Sequence, residues 1–272
     1  DVLLFNVGGI FAFYPTELEL HARNFMLERD LLGEMIEAAH ARGLKLVGRF
    51  DMSKATRIAY ERHPDWFVHN HEGKPLEYNG TYQACVNGGW YQEYAPAIIS
   101  EALGRYPVDG IFFNMFGYRS TDYSGRHFGI CVCANCRRLF REMYGKDLPQ
   151  EEDFSDPSYR DYIEFMDQTS LELGGAMYDA TKAARPDAAV MGQRTNNDLI
   201  RMEIQRAVDR PGQAWPHQGG EQARWAAAYG KGKIYGSIYV RLVDLPAALS
   251  ARCWTSTRPR CATGSSARRS TG

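Results

Sequence analysis

The sequence has 272 residues, of which 44% are hydrophobic and 24% charged, and its formal net charge is −1. A chain this close to neutral lacks the long-range field that gathers nucleic acid or an anionic membrane, and no apolar run is long enough to cross a bilayer. We therefore expect a soluble globular protein with a small or neutral ligand, and with no nucleic-acid or membrane partner. No signal peptide is visible at the first residues, which favours a cytoplasmic location.

Short apolar runs typical of buried strands alternate with helical patterns along the chain. The strands are predicted at residues 2–7, 44–50, 108–115, 188–192 and 234–240. The helices are predicted at residues 28–42, 91–105, 136–144, 158–184 and 222–229, with Gly43 and Gly145 as stop signals after the first and third. Strands that alternate with helices in this way predict an α/β fold with a parallel sheet and helices outside it.

The number of strands is smaller than a complete barrel needs. A (β/α)8 TIM-type barrel takes about 250 residues, and we find five convincing strands. We therefore expect a partial TIM-type barrel, incomplete at both ends, over residues 1–245.

The last part of the chain differs in composition from everything before it. Residues 246–272 contain no acidic residue and scatter arginines among Ser, Thr, Ala and Gly. We expect this tail to be disordered, or to be a translation artefact that replaces the last barrel units. Binding of nucleic acid is the weaker alternative, because the arginines are not clustered.

An ordered series of motifs carries a resemblance to a known family. The motifs are GGIFAFYPT at residues 8–16, DLLGE at 30–34 leading to ARGLKLV at 41–47, RFD at 49–51, RHPDW at 62–66, DGIFF at 109–113 and CVCANC at 131–136. Through them, residues 1–246 resemble the hypothetical glycosyl hydrolases related to α-L-fucosidases. The resemblance implies that residues 2–7 are the second strand of the parent barrel and that residues 108–114 contain the fourth.

The resemblance also implies a glycoside hydrolase site, which normally holds two carboxyl groups flanking the glycosidic bond. In fucosidase-like enzymes the nucleophile is an aspartate at the end of the fourth strand, and Asn114 occupies that position here. An amide cannot act as a normal carboxylate nucleophile. Three explanations stay open: the protein does not hydrolyse glycosides, another carboxylate supplies the chemistry, or Asn114 orients a substrate that assists its own cleavage.

Glu203 is the leading candidate for the catalytic acid, and Asp198 is the fallback. Both follow the predicted strand at residues 188–192, where such barrels commonly place a catalytic carboxylate. A solvated Glu203 paired with Arg201 or Arg206 is the structural alternative. Asp122, in the loop after Asn114, is a weaker carboxylate candidate.

A sugar site needs aromatic faces and polar side chains at its rim. Tyr118 and Trp215 are predicted to be platforms for a sugar ring, with a place in the hydrophobic core as the alternative for each. Trp215 is the stronger candidate, because it lies in a turn-rich loop. Asp51 ends a predicted strand, so it is expected either to bind sugar hydroxyls or to pair with the arginine two residues before it. His21 and Arg23 follow the first strand and are expected to recognise hydroxyl or carboxylate groups.

Cys131, Cys133 and Cys136 lie directly before a predicted amphipathic helix. Thiols with this spacing can hold a structural zinc ion, as in some related barrel glycosidases, but such a site needs four ligands. Cys85 or His127 could complete the set. The alternatives are reduced thiols that pack a loop, or a disulfide. No cofactor is expected to be required for catalysis.

Three functions follow from these features. The first is a glycoside hydrolase that acts on a carbohydrate substrate by carboxylate acid/base chemistry. The second is a carbohydrate-binding relative that has lost the nucleophile, and the third is an inactive, truncated fragment. Association into a homo-oligomer also stays open. No phosphate-binding Gly-rich loop, serine-hydrolase elbow or His-Glu-x-x-His motif is found in the sequence.

Overall fold

The structure is a computed structural model that describes residues 2–122, 124–192, 199–202 and 234–237. The chain divides into two units, residues 1–200 and 201–272. Nearly all of the described residues belong to the first unit. Among them, no helix is both long and apolar enough to cross a membrane.

The elements alternate between strands and helices in chain order. The first are β1 (Val2–Gly9), α1 (Leu31–His40) and β2 (Lys45–Asp51). They are followed by β3 (Lys54–Thr56), α2 (Arg57–Arg62), a 3-10 turn (Pro64–Trp66), β4 (Glu77–Tyr78) and β5 (Thr81–Gln83). A π-helical turn (Trp90–Tyr94) leads into α3 (Ala95–Arg105), and then come β6 (Gly110–Phe113), α4 (Ala134–Tyr144), α5 (Pro157–Ala184), β7 (Ala189–Gly192), β8 (Leu199–Met202) and β9 (Ile234–Ser237).

The main sheet is parallel. Its strands are neighbours in the order β1-β2-β6-β7-β8, and each adjacent pair runs in the same direction. This arrangement confirms the predicted parallel sheet with helical connections. It also brings the carboxyl ends of β1, β2 and β6 to one edge, where the loops that follow these strands begin.

Two hydrophobic cores hold the helices in place. The main core lies between the sheet and α1, α3 and the carboxyl-terminal half of α5, and it includes Val7, Ile98 and Leu173. The second core joins α4 to the amino-terminal half of α5 through Phe140 and Tyr162. Each of the larger buried side chains contributes roughly 1.5–3 kcal/mol relative to an exposed position.

The sequence patterns missed a small antiparallel sheet with the strand order β3-β5-β4. Its strands have only two or three residues each, too few for an alternating pattern to be visible. The segment at residues 199–202, which we did not predict as a strand, forms β8 beside β7. The predicted helix at residues 222–229 and the tail at residues 246–272 lie outside the described residues.

The loop after β1 is fastened to α3 by Glu101. This carboxylate accepts hydrogen bonds from the Tyr14 hydroxyl at 2.8 Å, the Thr16 hydroxyl at 2.6 Å and the Glu17 backbone N–H at 2.6 Å. Burial favours a higher pKa for Glu101, but these hydrogen bonds outweigh it and lower the pKa. The loop is therefore held against the middle of α3 by an ionised carboxylate.

The end of β1 touches the backbone at the end of β2. Gly9 has a φ of +112°, and a Cβ added to it would lie 2.1 Å from the carbonyl oxygen of Asp51. The next residue, Ile10, donates its backbone N–H to the same oxygen at 2.9 Å. Only glycine permits this close approach.

We expect Gly9→Ala to lower the free energy of unfolding by about 3 kcal/mol, because it adds both a steric overlap and a strained φ. Gly43→Ala is the matched control, since Gly43 has a φ of +69° but open space around its Cβ position. The control variant should lose only about 1 kcal/mol. Urea denaturation measures both values, and equal losses in the two variants would contradict the close approach.

Candidate active site

Two predicted site residues meet at the carboxyl ends of neighbouring strands. Phe50 of β2 pairs with Phe113 of β6, so the residues that follow, Asp51 and Asn114, lie side by side. The side-chain amide of Asn114 donates a hydrogen bond from Nδ2 to Asp51 Oδ2 at 2.8 Å. This edge is where α/β barrel enzymes place their chemistry.

The Asp51 carboxylate is fully engaged by its neighbours. Oδ2 also accepts a hydrogen bond from Arg49 Nη2 at 3.2 Å, and Oδ1 accepts from Ser53 Oγ at 2.5 Å and from the Ser53 N–H at 3.3 Å. Asp51 is only 8% exposed. Two donors on each oxygen fill the usual acceptor capacity of a carboxylate. The geometry therefore favours the Arg49–Asp51 pair over direct binding of sugar hydroxyls by Asp51.

The contact with Asp51 determines how Asn114 is presented. Because Nδ2 binds the carboxylate, the amide oxygen Oδ1 is directed away from it. Asn114 is half-buried, and its backbone N–H is fixed to the carbonyl of Phe50 at 2.7 Å. The next residue, Met115, has a φ of 54°, a left-handed conformation that is uncommon outside glycine and concentrates at functional sites. The amide of Asn114 is thus an oriented hydrogen-bonding group rather than a nucleophile.

Lys54, Tyr91 and Arg119 also belong to this neighbourhood and were not predicted. Lys54 is 6% exposed, and burial lowers its pKa, with Asp51 acting in the opposite direction. Burial raises the pKa of Tyr91 above its usual range, and the charge of Asp51 adds to this effect. The positive charge of Arg119 acts to lower the pKa of both Lys54 and Tyr91. The position of Lys54 three residues after a strand-end carboxylate was the available sequence signal.

Tyr118 is held by its hydroxyl group. The hydroxyl accepts a hydrogen bond from Asn87 Nδ2 at 2.8 Å and lies 2.8 Å from Thr169 Oγ1. Since the Thr169 hydroxyl donates to the carbonyl of Phe165, the hydrogen between the two hydroxyls comes from Tyr118. The group that Tyr118 can offer to a ligand is therefore its ring.

The two residues predicted after β1 lie in different surroundings. His21 is only 1% exposed and accepts the Gly9 backbone N–H at 3.2 Å, and burial lowers its pKa to about 4. This placement corrects the expectation of a ligand-binding loop residue, because a buried neutral imidazole supports the loop from within. Arg23 is exposed, as expected for a loop residue.

Other predicted residues lie outside the site or outside the described residues. Glu203, Asp198 and Trp215 are not among the described residues, so their roles stay predictions. Asp122 accepts hydrogen bonds from Ser124 and from the Arg126 N–H, which makes it part of its own loop.

The four predicted cysteines form one buried cluster. Cys133 caps the amino terminus of α4, Cys136 lies in its first turn, and Cys85 comes from the segment after β5. The Sγ atom of Cys85 lies 3.4 Å from that of Cys136, 3.8 Å from that of Cys131 and 3.5 Å from that of Cys133. All four sulfur atoms lie within 4.8 Å of one another.

The three separations from the Cys85 sulfur are close to those of a tetrahedral metal site. Zn–S bonds of about 2.3 Å place the sulfur atoms of such a site about 3.8 Å apart. Hydrogen bonds with Cys131, Cys136 and Cys85 hold the pKa of the Cys133 thiol below its usual range, whereas hydrogen bonds within the cluster raise the pKa of Cys85 and Cys136. His127 is instead paired with Glu152 at 3.3 Å, so Cys85 is the fourth member of the set.

We expect Asn114→Asp to be destabilising at neutral pH, by about 1–3 kcal/mol, because it places a second carboxylate against Asp51. The crowding raises the pKa of the carboxyl pair in the folded state, so the folded variant binds a proton more tightly than the unfolded one. The lost stability should therefore return as the pH falls through the raised pKa. Denaturant titrations from neutral to acid pH test this, and Asn114→Ala, the control, should show no such recovery.

Comparison with known proteins agrees with the motifs. Residues 1–115 match the family described as hypothetical glycosyl hydrolase 6. No match was found among curated proteins.

Solved structures of glycosidases have a similar fold. Alpha-L-fucosidase isoenzyme 2 from Paenibacillus thiaminolyticus is 22% identical with a TM-score of 0.51, covering 67% of this chain and 25% of its own. A catalytic mutant of Gan42B, a GH42 beta-galactosidase from G. stearothermophilus, is 14% identical with a TM-score of 0.53, covering 82% and 38%. The beta-galactosidase from the psychrophilic Marinomonas ef1 is 14% identical with a TM-score of 0.51, covering 70% and 32%.

At these identities the likeness to the solved structures concerns the fold alone. The chain spans between 25% and 38% of the lengths of these enzymes. The resemblance stated from the motifs is confirmed: the amino-terminal 115 residues match the hypothetical glycosyl hydrolase 6 family, and the chain is similar in fold to an alpha-L-fucosidase and to beta-galactosidases.

Proposed function

We propose that this protein is a glycoside hydrolase on a TIM-type barrel, acting on a carbohydrate by carboxylate acid/base chemistry. The observation that carries the proposal is the contact between Asn114 and Asp51 at the carboxyl ends of two adjacent parallel strands. The match to a glycosyl hydrolase family and the similar folds of glycosidases support it.

In this proposal Asn114 contacts the substrate, and Asp51 orients the side chain of Asn114. The Asn114 Oδ1 atom accepts a hydrogen bond from a sugar hydroxyl or orients a substrate group for attack. Asp51 holds the amide in one rotamer through the 2.8 Å contact, and Arg49 and Ser53 hold Asp51. A supported polar group of this kind keeps its geometry while substrate binds.

The catalytic acid in this proposal is Glu203. It directly follows β8 in the sequence, whereas Asp198 directly precedes that strand. Catalytic residues of TIM barrels come from the carboxyl ends of strands, which favours Glu203 over Asp198. Trp215 stays the proposed aromatic platform beyond it.

A carbohydrate-binding protein without hydrolysis is the second candidate. The observation in favour of a binding protein is that both carboxylate oxygens of Asp51 already accept hydrogen bonds from Arg49, Ser53 and Asn114. Such a carboxylate is poorly suited to attack a sugar. A binder would keep the oriented Asn114 amide and need no catalytic acid.

Aryl glycosides separate the two candidates. The panel includes aryl α-L-fucosides and aryl β-galactosides, after the names of the enzymes with similar folds. We expect turnover by the native chain, and a loss of about 10²–10⁴-fold in Glu203→Gln, because general acid catalysis contributes on that scale. Asn114→Ala should reduce turnover about tenfold or more, through the loss of an oriented contact.

Glu142→Gln is the control, because this glutamate lies exposed on α4 in an ion pair with Arg138. It should leave turnover unchanged. If turnover survives in Glu203→Gln, another residue is the acid. If no aryl glycoside is cleaved although sugars still bind to the folded chain, the binding candidate replaces the hydrolase.

We also propose that Cys85, Cys131, Cys133 and Cys136 hold a structural zinc ion. Their buried positions, the close approach of their four sulfur atoms and the softness of thiolate donors fit this ion. When bound, zinc would tie the segment after β5 to the start of α4. No step of the proposed reaction involves the ion.

We expect one zinc per folded chain when the protein is purified without chelator, measured by mass spectrometry of the metal. Cys85→Ser should abolish stoichiometric zinc and lower the thermal midpoint, because removal of one ligand opens the site. Cys261→Ser removes a thiol that is not one of the four proposed ligands, and the variant should retain the metal. Recovery of metal-free native protein with four titratable cluster thiols would contradict the proposal.

A further inference from the structure

A cavity of ≈ 390 Å³ lies between α5 and the loop that follows β6. This volume falls within the range of about 300–1,000 Å³ that is typical of small-molecule sites. Among the described residues that line it, neither Asp51 nor Asn114 occurs. The cavity is therefore separate from the contact between Asp51 and Asn114.

One wall of the cavity is a single stripe along α5. The lining residues recur at intervals of three and four positions, which places them on one face of the helix. They combine aromatic, apolar and polar side chains: Tyr159, Tyr162, Ile163, Met166, Asp167 and Ser170.

The opposite wall is formed by the loop after β6, with Phe116 and Tyr118, and by Cys85 and Cys131, two of the four clustered cysteines. Because its hydroxyl is bound to Asn87 and Thr169, the Tyr118 ring is fixed in place. It also packs edge-on against Tyr162, with ring centroids 6.4 Å apart. A ring held in this way offers an apolar face without a loss of side-chain freedom on binding.

The charged lining residues show which ligands suit the cavity. They are Arg119, Asp167 and Glu152, and Glu152 is paired with His127 at 3.3 Å. One cation beside two carboxylates gives no excess positive charge that would favour a phosphate, sulfate or carboxylate ligand. Aromatic faces combined with polar rim groups of both signs suit a neutral sugar, whose hydroxyls both donate and accept.

One of the lining residues, Phe116, is close to Asn114 in the sequence. Phe116 follows Asn114 by two residues, so the two lie at most about 7 Å apart. A ligand in the cavity would thus be a neighbour of a sugar bound at Asn114.

We infer that the cavity binds a second, neutral saccharide unit of the substrate, so that the substrate is an oligosaccharide rather than a simple glycoside. This inference rests on the proposed function for the identity of the reaction, but the binding step can be measured separately. Tyr118 supplies the ring that stacks on the second unit, and α5 supplies the facing wall.

Titration calorimetry with lactose, a neutral disaccharide, and with galactose tests the inference. We expect lactose to bind the native chain about tenfold more tightly than galactose does. Met166→Trp should fill the cavity and remove this difference. Gln168→Trp adds the same bulk at an exposed position of the same helix and should preserve it.

Tyr118 supplies a second, independent pair of variants. Tyr118→Phe keeps the ring and should retain the preference for lactose, whereas Tyr118→Leu should lose it. Circular dichroism establishes that each variant is folded before it is titrated.

The outcomes separate this inference from the proposed function, because aryl glycoside turnover is measured in parallel. If lactose binds Met166→Trp as tightly as the native chain, or if the folded native chain shows no preference for lactose, the cavity is not a saccharide subsite. Neither result would count against the proposed hydrolysis of aryl glycosides. Absence of aryl turnover together with a lost preference in Met166→Trp would instead support the subsite and reject hydrolysis.

Discussion

The strand-end edge of this fold depends on one buried carboxylate, that of Asp51. It binds Arg49 on its own strand, Ser53 at the start of the small antiparallel sheet and Asn114 after β6. The backbone carbonyl oxygen of Asp51 also accepts a hydrogen bond from the N–H of Ile10, where β1 ends. Gly9 lies so close to the same oxygen that no other residue would fit there. Three strands and the first loop therefore converge on a single residue, and replacing it would leave several buried donors without an acceptor.

The contacts of Asp51 suit it to holding its neighbours in place rather than to reacting with a substrate. A carboxylate that accepts four hydrogen bonds is held in place by the donors around it, and the same contacts restrict its access to a ligand. The neighbouring Asn114 is only half-buried, and its amide nitrogen is bound to this carboxylate. The two side chains therefore differ in role: Asp51 holds its neighbours in place, and Asn114 carries an amide oxygen that does not take part in the contact with Asp51.

Local patterns in the sequence predicted β1, β2, β6 and β7, because each is a short apolar run, and α1, α4 and α5, because each has an apolar period or a stop signal, whereas the parallel strand β8 was missed. The same patterns missed β3, β4 and β5, which are shorter than any period and depend on pairing between distant segments. Three cysteines could be recognised from their spacing, but only the fold selects Cys85 over His127. The burial of His21 could not be predicted, since it depends on contacts with Gly9 and the core.

α5 is a single helix of 28 residues, roughly 42 Å long. Its first half packs in the second core through Tyr159 and Phe165, and its second half packs in the main core through Leu173 and Met177. The two cores are therefore joined by one continuous helix. Since the backbone hydrogen bonds of a helix form cooperatively, loosening of either half weakens the other, and the first unit is expected to melt in one transition rather than two.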